Sequence, residues 1–212
     1  MGLFNFFKTQ KNQHTTIKSY EEHLFEIGEC YQNFFTDMSR PLKECGDRDA
    51  RAILIGSEIP LIAHFDFENF NTLLFNNINL EIKDKHVTFM QEQCTFYVLY
   101  SDRYLFSQLG NEDRNQVMDK LENGYLNKMM KLANNNETVW HYYKKHILER
   151  EKETPQGGSM TDFLKFYNTD LIHRLDLKKD YFSVLSLFSD IIFFGTAKFT
   201  MQMLSTLKNE EE

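Results

Sequence analysis

The chain has 212 residues, 42% of them hydrophobic and 15% aromatic, with a formal net charge of −7. That length supports one domain with a real core, and 20 Phe with 10 Tyr argue against disorder. An acidic surface repels phosphate backbones, which disfavours nucleic acid as a partner, and 3 Pro with 9 Gly are too few for a turn-rich all-β protein.

The charge is uneven. Residues 1–18 hold Lys8, Lys11 and Lys18 and no acid, so this stretch is +3 and the remainder −10. The cysteines are Cys30, Cys45 and Cys94, an odd number with no CxxC. A disulfide framework is therefore disfavoured and a reducing cytosol favoured. The start lacks a basic n-region and a sustained apolar h-region, so no secretory leader is expected. Phe6 stands where myristoylation wants Ser or Thr.

The first element in chain order is MGLFNFFKTQK. As a helix it would put Leu3, Phe4 and Phe7 on one side, Phe6 at the edge, and Lys8 and Lys11 across from them. Three readings stay open: an anionic membrane interface, a protein partner, or docking on the chain's own domain. A helix this short is marginal in water, so the contact would have to drive its folding. The MGLF start resembles those of membrane-associated bacterial proteins such as the signal-recognition-particle receptor. The resemblance covers about eight residues, and no function is carried from it.

Residues 12–16 read as a polar linker. Ser19 and Glu22 then have capping-box form. Behind them Tyr20, Leu24, Ile27, Tyr31, Phe34 and Met38 mark an amphipathic helix, which Pro41 is expected to stop. Asp47 caps a second helix, which Pro60 punctuates, and a third is expected from Asp66 through Phe67, Phe70 and Leu74. INLEI (78–82) alternates but has no partner strand, so it reads as helix or loop.

A long helix follows over about 85–109, then one to about Ala133, whose Gly124 is unfavourable. The run from Asn134 to Asn136 is a turn, and Trp140, Tyr143 and Ile147 mark the next helix. TPQGGS (154–159) is the clearest loop, with Ser159 as the cap of a helix over about 160–176. The last helix spans about 179–207. Its stretch from Tyr181 to Ala197 carries Asp190 and several serines, which favours a buried helix over a membrane span. The expected fold is all-α: an irregular bundle of about eight helices around a single core. The organisation is residues 1–18 as amphipathic segment and linker, 19–207 as the helical domain, and 208–212 as an acidic tail.

The search for chemistry finds little. Neither HExxH, GxSxG, a Walker A loop nor GxGxxG occurs. Asp170, His173 and Asp176 step by three along one broad helical face and form the alternative polar site. Pairing with Arg174 and Lys178 is the plainer reading. Cys30 and Cys94 are expected to fill core space, and Cys45 to be a loop thiol. In WHYYKKH (140–146) the aromatics read as a core stripe with the cations on the wet side.

The expectation is a non-enzymatic cytosolic binding protein, of adaptor, inhibitor or immunity type, that acts by occlusion or recruitment and requires no cofactor. Its contact residues would be Leu3, Phe4, Phe6, Phe7, Lys8 and Lys11, placed against a protein partner or the inner face of an anionic membrane. The alternative is a helical enzyme or ligand-binding or metal-binding protein built around Asp170, His173 and Asp176.

Overall fold

The computed structural model describes residues 20–155 and 157–208. Leu3, Phe4, Phe6, Phe7, Lys8, Lys11 and the Ser19 cap lie outside them.

The described residues form seven α-helices and no strand: α1 (Tyr20–Glu44), α2 (Arg48–Ile78), α3 (His86–Phe106), α4 (Asn111–Leu132), α5 (Glu137–Glu153), α6 (Met160–Arg174) and α7 (Tyr181–Gln202). The count falls one below the expected eight because Pro60 does not divide the second helix from the third. It sits buried inside a continuous α2. Pro41 likewise lies inside α1, where the next residue, Leu42, is buried. A proline costs about 3 kcal/mol in a helix interior, and here packing outweighs it.

The caps follow the sequence. The Asp47 carboxylate accepts from the Ala50 amide at 2.9 Å, and Ser159 and Asp162 form a reciprocal capping box on α6. Of INLEI, Ile78 ends α2 and the rest is a connector that starts at the left-handed Asn79 and leads into a 3-10 turn at Lys83–Lys85.

α3 is the central helix. Every residue from Glu92 to Ser101 is buried, and α2, α4, α5 and α6 pack around it. α2 and α4 cross most closely of all, at two glycines. A Cβ on Gly56 would lie 1.9 Å from the Leu121 carbonyl oxygen, and one on Gly124 2.2 Å from that of Ile53. Backbone therefore meets backbone, and Gly124 marks a crossing rather than a weak point of its helix. α7 closes the other side, between α1 and α6. The buried apolar side chains form one cluster, rich in ring contacts such as Phe70 on Phe188 and Phe96 on Tyr167.

Candidate functional site

Two groups of polar side chains are buried within this core. The first centres on Asp66 of α2, which is fully buried. Its carboxylate accepts from the Tyr31 hydroxyl at 2.5 Å, the Tyr97 hydroxyl at 2.8 Å and the Gln93 amide at 2.7 Å. Gly195 of α7 completes the enclosure: a Cβ there would sit 2.7 Å from Tyr97 Oη and 3.2 Å from Asp66 Oδ1. Burial pushes the Asp66 carboxyl up to about 6, against the three donors that favour its charged form. The same burial, with Asp66 beside them, holds both tyrosines well above their ordinary value. The knot thus ties α1, α2, α3 and α7 together at one point.

The second group joins α3, α5 and α6 through Arg150, whose guanidinium is almost wholly buried. Arg150 reaches Glu92 at 2.9 Å, Glu153 at 2.6 Å and Asp170 at 2.6 Å. Arg174 shares all three acids, Asp170 and Glu153 each at 2.7 Å and Glu92 at 3.7 Å. His146 approaches Glu92 at 3.5 Å, and the Tyr167 hydroxyl donates to the Glu92 carbonyl. Three carboxylates thus face two guanidiniums, with an imidazole beside the most buried acid. Every guanidinium edge of Arg150 meets a carboxylate of its own protein, so the arrangement is a staple between helices.

A cleft of about 440 Å³ lies where the end of α3 meets the start of α4 and α6, lined by Leu99, Asp102, Arg103, Phe106, Arg114 and Met160 among others. Its cations are engaged by its own walls. Arg114 makes two bonds to Asp102, at 2.8 and 2.6 Å. Arg103 donates to the Pro155 carbonyl and lies 4.6 Å from the centre of the Phe163 ring.

The structure separates the three residues of the alternative polar site. Asp170 belongs to the arginine staple, His173 lies tilted against Tyr181 with ring centres 5.7 Å apart, and exposed Asp176 pairs with Lys178 at 3.2 Å. Among the described residues, no three His, Cys, Asp or Glu side chains are placed to hold a metal ion. Cys94 is buried as expected, whereas Cys30 is exposed, because it falls one step off the apolar stripe of α1. Trp140 and Tyr143 pack on the core, while Lys144 pairs with Glu122 and Lys145 with Glu149.

The most unusual surface is the outer face of α7. Phe182 is 85% exposed and Phe193 63% exposed. They are eleven residues apart, which returns them to the same side of a helix, with Ser186 and Ser189 between them. α7 carries only two charged side chains, and both turn toward α1: Asp190 accepts from the Tyr20 hydroxyl, and Lys198 donates to Gln32. Between these contacts, Phe194 fills the space that Gly28 leaves, 3.4 Å from where a Cβ would be. The Phe182–Phe193 strip is therefore uncharged.

α1 borders this strip and adds Phe25, 68% exposed, one helical turn from Glu21, Glu22 and Glu29. Exposed aromatics thus sit beside a helix edge rich in acid. By length and composition α7 with its following turn, Tyr181–Leu207, could cross a membrane, and less than half of its most apolar window is buried. The expected buried helix is buried on one side only.

Comparison with known proteins gives no assignment: no family model matches the chain, and no curated protein or solved structure matches it.

Proposed function

We propose that this chain is a non-enzymatic binding protein of adaptor, inhibitor or immunity type, acting in the cytosol by occlusion or recruitment. The outer face of α7 is the docking surface, with the adjoining edge of α1 as its rim. The observation that carries the reading is the pair Phe182 and Phe193, two rings held out from a helix whose only charges are committed to α1. Large apolar rings held out on one uncharged face of a folded protein mark an interaction site, and aromatic rings supply much of the binding energy at such sites. Glu21, Glu22 and Glu29 lie one helical turn from Phe25 at the rim, so the fitting partner is a segment that combines apolar side chains with lysine or arginine.

Site-specific photocrosslinking tests the reading. A photoreactive phenylalanine analogue replaces Phe193 in one variant, Phe182 in a second and the exposed Lys131 of α4 in a third. The expected result is the same discrete protein adduct from the first two and none from the third. Indiscriminate adducts from all three positions, or none from Phe193 and Phe182, would remove α7 as the docking surface.

A further inference from the structure

We propose that residues 1–11 of this chain occupy the outer face of α7 in cis and hold it against the basic, apolar partner. The inference rests on that face being the docking surface, and it names the surface's first occupant. The chemistry of the segment matches the surface. Leu3, Phe4, Phe6 and Phe7 suit the uncharged strip between Phe182 and Phe193, and Lys8 and Lys11 suit the acids of α1. An acid-free +3 stretch heads a chain whose remainder is −10.

The chain's path brings the two together. Residues 1–19 join the described fold at Tyr20, whose hydroxyl bonds to Asp190 beside Ser186. That point lies between Phe182 and Phe193 along α7. The eight residues 12–19 can span about 26 Å when extended, whereas Phe182 and Phe193 stand about 16 Å apart along the helix. Reach therefore does not limit the contact, and a short tether gives an effective concentration in the millimolar range. A partner must outcompete the segment, which sets a threshold for binding. The acids of α1 favour this occupant over an anionic membrane, which they would repel.

The test uses the full chain carrying Ser186→Cys, with thiol labelling read peptide by peptide so that Cys30 and Cys45 serve as internal references. Adding Phe4→Asp and Phe7→Asp should raise labelling at position 186 by about tenfold and leave Cys45 unchanged. A labelled peptide of residues 1–11 should then bind the Phe4→Asp, Phe7→Asp chain, bind the unsubstituted chain at least about tenfold more weakly, and lose binding on Phe193→Asp. Equal labelling in both backgrounds overturns the proposal but leaves the partner reading intact. Protection that grows with protein concentration also overturns it, in favour of a second copy. Flotation with phosphatidylserine vesicles that depends on both Phe4 and Phe193 overturns it in favour of a membrane. Protection in cis without partner adducts at Phe193 would sustain the contact and sink only the partner reading.

Discussion

Gly56 of α2 and Gly124 of α4 lie reciprocally at one crossing: a side chain on Gly56 would meet the Leu121 carbonyl of α4, and one on Gly124 the Ile53 carbonyl of α2. A methyl group on either would come within 2.2 Å or less of a carbonyl oxygen of the facing helix. A backbone oxygen cannot move aside as a side chain does. The two helices must separate, and both touch the central α3. Gly→Ala in a helix normally gains up to about 1 kcal/mol from propensity. Here the expected sign is reversed: Gly56→Ala and Gly124→Ala should each destabilise by about 3 kcal/mol or more. Urea unfolding checks this, and a neutral result for either would mean that the helices are not in contact there.

Arg150 and Glu92 should show strong coupling. Arg150→Met leaves Glu92 buried beside the more distant His146, Arg174 and Tyr167 hydroxyl, with an expected loss of about 3–5 kcal/mol. Arg150→Met combined with Glu92→Leu should cost much less than the sum of the two single changes. A double-mutant cycle from denaturant unfolding measures the difference. Additive losses would show that the two do not act as a pair.

Asp66 should give stability an unusual pH dependence. Its carboxyl stands at about 6 in the folded protein against an ordinary 3.8. Ionisation is therefore harder in the folded state than in the unfolded one. The folded state keeps its full advantage below 3.8, loses it as pH rises through 6, and is flat above; the range is worth about 3 kcal/mol. Tyr31 and Tyr97 stay protonated throughout, as does the nearby Cys94, whose thiol burial pushes up. Glu153 acts in the opposite sense. The hydrogen bond from Arg150 lowers it, so its contribution is present above the ordinary carboxylate range and lost as pH falls. Comparison of Asp66→Asn with the parent isolates Asp66. The two should match near pH 4, and the variant should be the more stable by about 3 kcal/mol near pH 8. The amide finds an acceptor in the Gln93 carbonyl oxygen, which is buried without a partner. A difference constant across pH would count against the raised carboxyl.

In the Phe4→Asp, Phe7→Asp chain, where the cis contact is removed, Phe182→Ser and Phe193→Ser should leave stability within about 0.5 kcal/mol of that chain, because neither ring belongs to the core. Thermal unfolding checks this directly. A loss of about 2 kcal/mol or more would show that the rings support the fold rather than await a contact.

Much of the fold was legible in the sequence. Tyr20 to Met38 follow a helical period, and Asp47, Asn136 and Ser159 cap as such residues do. Pro41 and Pro60 misled, because a local breaker yields to burial of Leu42 and of the α2 face around Ile59 and Ile62. The buried charges were written into the apolar stripes. Trp140, Tyr143, Ile147 and Arg150 step by three and four, as do Ile59, Ala63, Asp66 and Phe70. A charged residue in register with a core stripe must find partners, but its partners sit on other helices and no local pattern names them. The exposed face of α7 was hidden for the opposite reason. Its composition is that of a buried helix, and only packing shows which side stays bare.

The knot at Asp66 has a consequence for synthesis. Its members lie at positions 31, 66, 93, 97 and 195, so α7, made after α1, α2 and α3, supplies the closing element. While the ribosome is still translating, α1, α2 and α3 can gather with the carboxylate open to water, but the site cannot be sealed. The arrival of Gly195 both excludes solvent and commits the acid to its tyrosines. Final locking of the fold therefore awaits the synthesis of α7, and a nascent chain lacking α7 should remain open at its centre.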